Sequence, residues 1–552
     1  MSVTLLIGKL LVDKRWLMGI DIGGGSVRCM LVDASSGVAI TASCQWHFAR
    51  APGTSGTGYD LDLDEIWKII AQASRDALQQ AQIQGSMVAA VAVSAMRFST
   101  VLLDAAGNSL LAVPNKDARA VGECFGLAEQ QGQAILKATG CWPLPIHTSA
   151  RLLWLQQHQP ASFEQVHSVF GLGDWFNQRL CGVRATEASQ ASSTGLFALA
   201  RRQWCWELID QLGLPREIFP PLIDAGSRIG EVADEAAAAM GLDAGTPVGM
   251  GGGDTQSSLL GSGAISPGDS VVVAGTTAPV QVVLDQPLVD TDGCMLGGHH
   301  LVPDLWVLES NSGAMGDSLS WMARLLFPDA PEPERRLLAE AGLAGTGAAG
   351  MLSTLGGEIM NAKFPTLPVG HIILSHMAGD GDSSARPNLA RALLEGFSCA
   401  LRANLEQLGA VLARDLPAVA IDQLTLCGGL SRSEVFSQQL ADTAAREVAV
   451  PVFYQTTALG AAICAGVAAD CYADFTEACK VLTRVGRRFM AQPERAEVNQ
   501  RLYDNWSRFR EAAAGATAPI AAEHMLPWVL REPDEDAAGS TTAVIKSGGS
   551  EN

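Results

Sequence analysis

The sequence predicts an α/β protein of two related domains facing each other across a cleft. Three observations predict it: the length, a hairpin of strand, glycine turn and strand that occurs twice, and a glycine-dense stretch between the two copies. With 552 residues, 48% apolar and 17% charged, the chain buries more than one core, so two or three domains are expected. The first hairpin runs from Trp16 to Ile22, turns through Gly23-Gly24-Gly25-Ser26 and returns as Val27 to Asp33. The second is a miniature of it, Ser270 to Ala274 entering Gly275-Thr276-Thr277. Between them, Gly249 to Gly275 is dense in glycine and carries the turn signal Pro267-Gly268, which marks the domain crossover.

The remaining elements follow in order. Asp64 to Gln82 reads as a helix, Val88 to Val93 as a buried strand and Val101 to Leu103 as a short one. Arg151 to Leu155 and Asp174 to Phe176 lie on amphipathic helices. Leu424 to Leu426 is a strand that enters a third glycine turn, Gly428-Gly429-Leu430-Ser431, before a helix through Val435 to Arg446 and a strand near Val448 to Val450. A small-residue helix opens at Thr457. From Pro533 onward the chain mixes acidic, Gly, Ser and Thr residues without periodicity and reads as a disordered tail.

A formal charge of −20 leaves no electrostatic footprint for nucleic acid or an anionic membrane. The 12 cysteines are scattered with no C-x-x-C pair, as expected of thiols in a reducing cytosol. The apolar stretch Thr4 to Val12 is broken by Gly8 and Lys9, so neither a secretion signal nor a membrane span is expected.

Phosphoryl transfer needs backbone donors for the nucleotide phosphates, a carboxylate for the metal and a base for the acceptor's proton. Gly23, Gly24, Gly25 and Ser26 are such a cradle, and Asp21 at the strand end can hold Mg²⁺ through water. Taken alone, the segment is equally an ordinary hairpin turn. Gly275, Thr276 and Thr277 add N–H and hydroxyl donors. Gly428 and Gly429, with Ser433, precede a helix whose N-terminus suits a phosphate or packs beside a nucleotide base.

Three strand-to-glycine turns and no Walker A motif are what an actin-like nucleotide cleft requires. Asp254, after three glycines at the crossover, is placed to act as a general base or to cap the helix that follows. Met96 and Arg97 stand between two strands, where Arg97 can fork onto sugar hydroxyls or pair with a structural acid. Asp117, in Asn115-Lys116-Asp117-Ala118-Arg119, can accept from a hydroxyl, with Arg119 orienting it. Gly345 to Gly350 matches G-x-G-x-x-G but follows a helix-like run, so no dinucleotide fingerprint is read there.

In their order along the chain, Asp21 to Ser26, Gly251 to Asp254, Gly275 to Thr277, and Gly428-Gly429 with Ala458 to Ala462 resemble the ordered motifs of the FGGY carbohydrate kinases, over roughly residues 17 to 510. The resemblance implies two actin-like (ribonuclease H-like) ATPase domains flanking a central cleft. Their expected extents are an extension at 1–16, a sugar-binding domain at 17–262, a nucleotide-binding domain at 263–510 and a C-terminal segment at 511–552. It further implies Asp254 as catalytic base, Arg97, Met96, Asp117, Asp254 and Gln256 around the sugar, Asp21 at Mg²⁺, and the three glycine turns around ATP.

Ser94 to Arg97 and Asp117 to Arg119 look most like autoinducer-2 and erythritol kinases, then xylulokinases. The expected substrates are therefore an autoinducer-2 precursor, a tetritol or a pentulose, and a homodimer stays open. Gly24, Phe98 and Gln455 depart from the family pattern, which commonly has Thr, an acid and Glu there. A catalytically inactive actin-like nucleotide-binding regulator is the alternative.

Overall fold

Strand β1 (Trp16–Ile22) is buried at every residue, which its nearly continuous apolar run requires of a strand paired on both sides. It pairs antiparallel with β2 (Ser26–Asp33) and parallel with β4 (Val88–Ala95). With β3 (Ala39–Gln45), β5 (Arg228–Glu231) and β6 (Pro247–Gly249) they form a six-stranded sheet of order β5-β6-β4-β1-β2-β3. This description comes from a computed structural model that covers residues 15–364, 369–374, 385–521 and 523. The expected extension at 1–16 falls almost wholly outside these residues and the tail from about 533 lies entirely outside them.

A second sheet of seven strands follows the glycine-rich crossover. Its strands are β7 (Ser270–Val273), β8 (Pro279–Leu284), β9 (Leu296–His299), β10 (Trp306–Asn311), β11 (Gln423–Cys427), β12 (Glu447–Pro451) and β13 (Val485–Phe489), in the order β9-β10-β8-β7-β11-β12-β13. The run β10-β8-β7-β11-β12 repeats β3-β2-β1-β4-β6, with two antiparallel pairings followed by two parallel ones in each. An antiparallel edge strand closes each sheet on the far side, and β9 is the addition of the second. The duplicated hairpin of the sequence is therefore a duplicated sheet.

Helix α1 (Leu63–Ala81) shows how local signals set the elements. Asp62 caps it by accepting from the Glu65 N–H, Ile66, Trp67, Ile70, Ala73 and Ala77 are buried at helical spacing, and Gln82 ends it in the left-handed region at φ 55°. Helix α2 (Asp254–Gly261) leaves the first sheet, and α6 (Thr456–Ala468) leaves the second; between them lie α3 (Met315–Leu326), α4 (Ala385–Asp415) and α5 (Glu434–Ala444).

The lobes meet where α6 crosses α2 and β1. A Cβ on Gly460 would stand 2.0 Å from the Ser257 carbonyl oxygen, one on Gly261 1.9 Å from that of Thr456, and one on Gly19 2.0 Å from that of Ala458. These are backbone oxygens and cannot move aside as a side chain would. Ser258 ties the seam through Thr456 and Thr457 at 3.1 and 2.7 Å. Gly460→Ala is expected to lower stability by about 1–3 kcal/mol through overpacking, read from the urea midpoint; a wild-type midpoint would contradict so tight a crossing.

Candidate active site

The ends of β4 and β6 lie side by side. Ala95 bridges Gly253 in parallel, and a Cβ on Gly251 would come within 1.9 Å of the Val93 carbonyl oxygen, which is why the chain approaches through glycines. Arg97 and Asp254 thus leave neighbouring strand ends. Gly253 is the N-cap of α2 and Asp254 its first residue, so the capping role open to Asp254 falls to Gly253. The Asp254 carboxylate accepts from the Thr255 N–H at 2.8 Å and faces Arg97 Nε at 3.7 Å, with 30% of its side chain accessible. Burial pushes its pKa up to about 6; Arg97 and the Thr255 N–H oppose this, while Asp21 and Glu309 add to it.

Arg97 also donates through Nη2 to Glu309 Oε1 at 2.7 Å, and Glu309 in turn accepts from Gln281. Gln256 is buried, accepts from Thr255 Oγ1 at 2.9 Å and lines, with Arg97, Phe98 and Glu309, a cavity of 10 Å³, about the space of one water. Phe98 adopts φ 58°, an outlier for a bulky side chain. Its ring stacks on His147 at 5.7 Å, the Arg97 guanidinium lies 5.1 Å from its centroid, and its carbonyl accepts from Arg151 at 2.5 Å. An aromatic residue where the family pattern often has an acid thus braces Arg97 from one side.

The three glycine turns are linked to one another by a chain of contacts. The Gly23 N–H closes its own turn on the Ser26 carbonyl at 3.0 Å, while a Cβ on Gly25 would meet nothing within 4 Å. Gly24 lies beside Asn115, whose Oδ1 is buried without a partner. The next residue, Lys116, reaches Asp317 of the second lobe at 3.2 Å. Asp317 follows Gly316, whose N–H donates to the Thr276 carbonyl at 3.1 Å. Thr276 and Thr277 are exposed. Gly428 sits at φ 84°, and a Cβ there would be 2.6 Å from the Ala274 carbonyl oxygen, so the second and third turns abut. Gly429 beside it is open.

Other expected site residues are placed differently. Asp117 is fully buried; its carboxylate accepts from the Tyr59 N–H at 3.0 Å and Arg119 Nε at 2.7 Å and faces Arg151 Nε at 3.3 Å. Both hydrogen bonds fall on Oδ1; Oδ2 faces Arg151 without a hydrogen bond, and burial keeps both oxygens from the cleft. Met96 is also fully buried, packed in the first lobe's core. Ser26 is buried as the first residue of β2, and Ser433 caps α5 by accepting from the Phe436 N–H at 3.2 Å. Asp21 is buried and paired with Arg28 at 2.9 Å; burial raises its pKa against the pull of that guanidinium.

Three contributors have no motif to announce them. Glu309 lies far along the chain from Arg97. Gly316 is one glycine among many, yet a Cβ on it would meet the Gly275 carbonyl oxygen at 2.2 Å. Glu187 is buried with its pKa pushed up to about 7 by that burial; it accepts from the Ser189 N–H at 2.8 Å, and Ser189 Oγ takes the Gly253 N–H at 2.8 Å, which steadies the turn before Asp254.

Comparison with known proteins gives the family and the fold. Residues 16–261 match the N-terminal domain model of the FGGY family of carbohydrate kinases, and residues 270–469 match its C-terminal domain model. An autoinducer-2 kinase of Salmonella choleraesuis (strain SC-B67) is 31% identical over 508 residues, covering 89% of this chain and 93% of that one. Its counterpart in Escherichia coli (strain K12) is 31% identical over 510 residues, 90% of this chain and 94% of the other. Among solved structures, xylulose kinase from Rhodospirillum rubrum superposes with a TM-score of 0.74 at 27% identity, covering 92% of this chain and 99% of that one. Plasmodium falciparum glycerol kinase with ADP shares the fold at a TM-score of 0.75 and 17% identity, over 89% and 97%. Both lobes, their order and their turns therefore have one explanation: this chain belongs to the FGGY family of carbohydrate kinases, phosphotransferases that act on a sugar hydroxyl, with the two-domain fold of the actin-like ATPases.

Proposed function

We propose that the chain transfers the γ-phosphoryl group of Mg-ATP to a hydroxyl of a small sugar or polyol, with Asp254 as general base in the cleft between the lobes. The observation that carries the reading is the Asp254 carboxylate itself: ionisable near neutrality, accessible, and held beside Arg97 at the lobe boundary. Arg97 and Gln256 orient the hydroxyl, Asp254 receives its proton as the phosphoryl group arrives, and the accessible side of the carboxylate returns that proton to solvent. The lobes exclude water that would otherwise compete as acceptor.

The residues present fit the nucleotide and its metal. Gly24, Gly25 and Gly275 to Thr277 would cradle the phosphates, Gly428 and Gly429 would border the adenosine, and the partnerless Asn115 Oδ1 at the first turn, an acceptor, would take a hydrogen bond from water on the metal. Among the described residues no three His, Cys, Asp or Glu side chains form a metal cage. A magnesium ion there would rely on phosphate oxygens and water, and Asp21 would hold it through water. When bound, the ion neutralises charge on the transferring group.

For substrate, the 31% identity to autoinducer-2 kinases across 89% of the chain favours the autoinducer-2 precursor, ahead of tetritols and pentuloses. Among the described residues no helix is long and apolar enough to cross a membrane; a cytoplasmic location is part of the proposal, and a homodimer stays open. ADP release with MgATP across these three substrate classes tests it: turnover that depends on one class names the substrate, and ATP binding without turnover on any of them counts against the reading.

The pH dependence follows from Asp254. The base must be ionised, so kcat/KM should be flat above neutrality and fall tenfold per pH unit below an apparent pKa of about 6. A limb near the ordinary carboxylate value would show that burial does not raise this group, and the absence of any acidic limb would remove Asp254 from the role.

A further inference from the structure

Glu309 belongs to β10 of the second lobe, yet its carboxylate serves the first. It is 2% exposed and fixed within its own lobe by Gln281 of β8. Among the described residues the cation it pairs with is Arg97, 212 positions away. Its burial and its ion pair are thus both made at the lobe boundary.

We infer that Glu309 is a positioning residue for phosphoryl transfer: reaching across the lobe boundary, it holds the Arg97 guanidinium beside Asp254, so the base is aligned only when the lobes are apposed. The inference rests on the proposed role of Asp254. Arg97 spans the two carboxylates, with Nη2 2.7 Å from Glu309 and Nε 3.7 Å from Asp254. The ring of Phe98, whose backbone is strained at φ 58°, lies 5.1 Å from the guanidinium and limits its movement on that side. Close by, β9 is docked on the first lobe: the Gly297 N–H donates to the Gly140 carbonyl at 2.8 Å, and His299 meets Ser192 at 2.9 Å. These contacts set where Glu309 arrives relative to Arg97.

The charged neighbours are few. Asp254 is faced by Arg97, Glu309 and Asp21; Arg97 by Glu309, Asp254 and the Cys141 thiol; and Asp21 by Arg28. Glu309→Gln keeps an acceptor oxygen for Arg97 and removes the charge. Asp254 then loses a negative neighbour and takes the full field of Arg97, so its proton is held less tightly.

The experiment compares wild type, Glu309→Gln, Glu309→Asp and Asp254→Asn in full kcat, KM and pH profiles with melting temperatures. Glu309→Gln should lower kcat/KM about 10- to 100-fold, the scale of a misplaced reacting group, and move the acidic limb to lower pH. Glu309→Asp should recover part of the rate and keep the limb at its wild-type position. Wild-type rate and limb in Glu309→Gln overturn the inference. So do two equally slow variants with unmoved limbs and lowered melting temperatures, which indicate a merely structural role. If Glu309→Gln does not fold, Glu309→Asp decides: a severalfold drop with the limb in place supports the inference, and a wild-type rate overturns it. A fully active Asp254→Asn sinks the base assignment and this inference together, whereas an inactive one beside a fully active Glu309→Gln sinks only this one.

Discussion

Replacing Asp254 by Asn should reduce sugar-dependent turnover about 10³-fold, within the range that general acid–base groups supply, and leave ATP binding intact. The amide is isosteric, so its oxygen can keep the 2.8 Å bond from the Thr255 N–H, and Arg97 keeps Glu309. What is lost is the capacity to take a proton. The fold should not suffer. Asp254 titrates near 6 in the native state against an ordinary value of 3.8, so the native state binds more protons than the unfolded one between those values. Stability therefore falls as pH rises through that window, and at neutrality the ionised carboxylate works against folding. Asn removes that opposition, and Asp254→Asn should melt at or above the wild-type temperature. Loss of turnover together with a lowered melting temperature would indicate a structural role instead.

Asp117→Ala should destabilise the protein by about 3–5 kcal/mol, the effect of stripping the partner from a buried charge. Asp117 and Arg151 are both fully buried, and Arg119 is nearly so. Arg151 donates to the Phe98, Pro114 and Asp117 carbonyls and to Thr100, so its position is fixed and it cannot swing out to water when the carboxylate is gone. Burial already pulls the Arg151 pKa down to about 10, a measure of how poorly its charge is tolerated there. Urea unfolding gives the loss directly. Near-wild-type stability with a raised KM for the sugar would return Asp117 to the substrate-binding role that its sequence context suggests.

The two predictions separate residues that look alike in the sequence. Asp254 and Asp117 are both acids in polar loops near an arginine. One is accessible and faces its arginine across 3.7 Å; the other has no exposed surface and is enclosed by donors. Burial is what separates the two, and burial is not a local property of the chain.

Much of the fold was legible beforehand because its signals are short-range. The strand at Trp16–Ile22, the helix read at Asp64 to Gln82, and the glycine turns at 23–25, 275 and 428 each depend on a few consecutive residues whose backbone geometry or burial pattern is constrained. The repeated hairpin even foretold a repeated sheet. The order of the motifs along the chain was enough to indicate the family.

The tertiary structure alone decided which residues meet. Arg97 finds Glu309 across 212 positions and two lobes, Asn115 lies against Gly24, and Gly428 abuts Ala274. Met96 and Asp117 turned inward while Gln256 came to line the cavity beside Arg97. The physical reason is range: dihedral preference and hydrophobic period are set by neighbours in sequence, whereas a carboxylate's environment is set by whatever the topology brings against it.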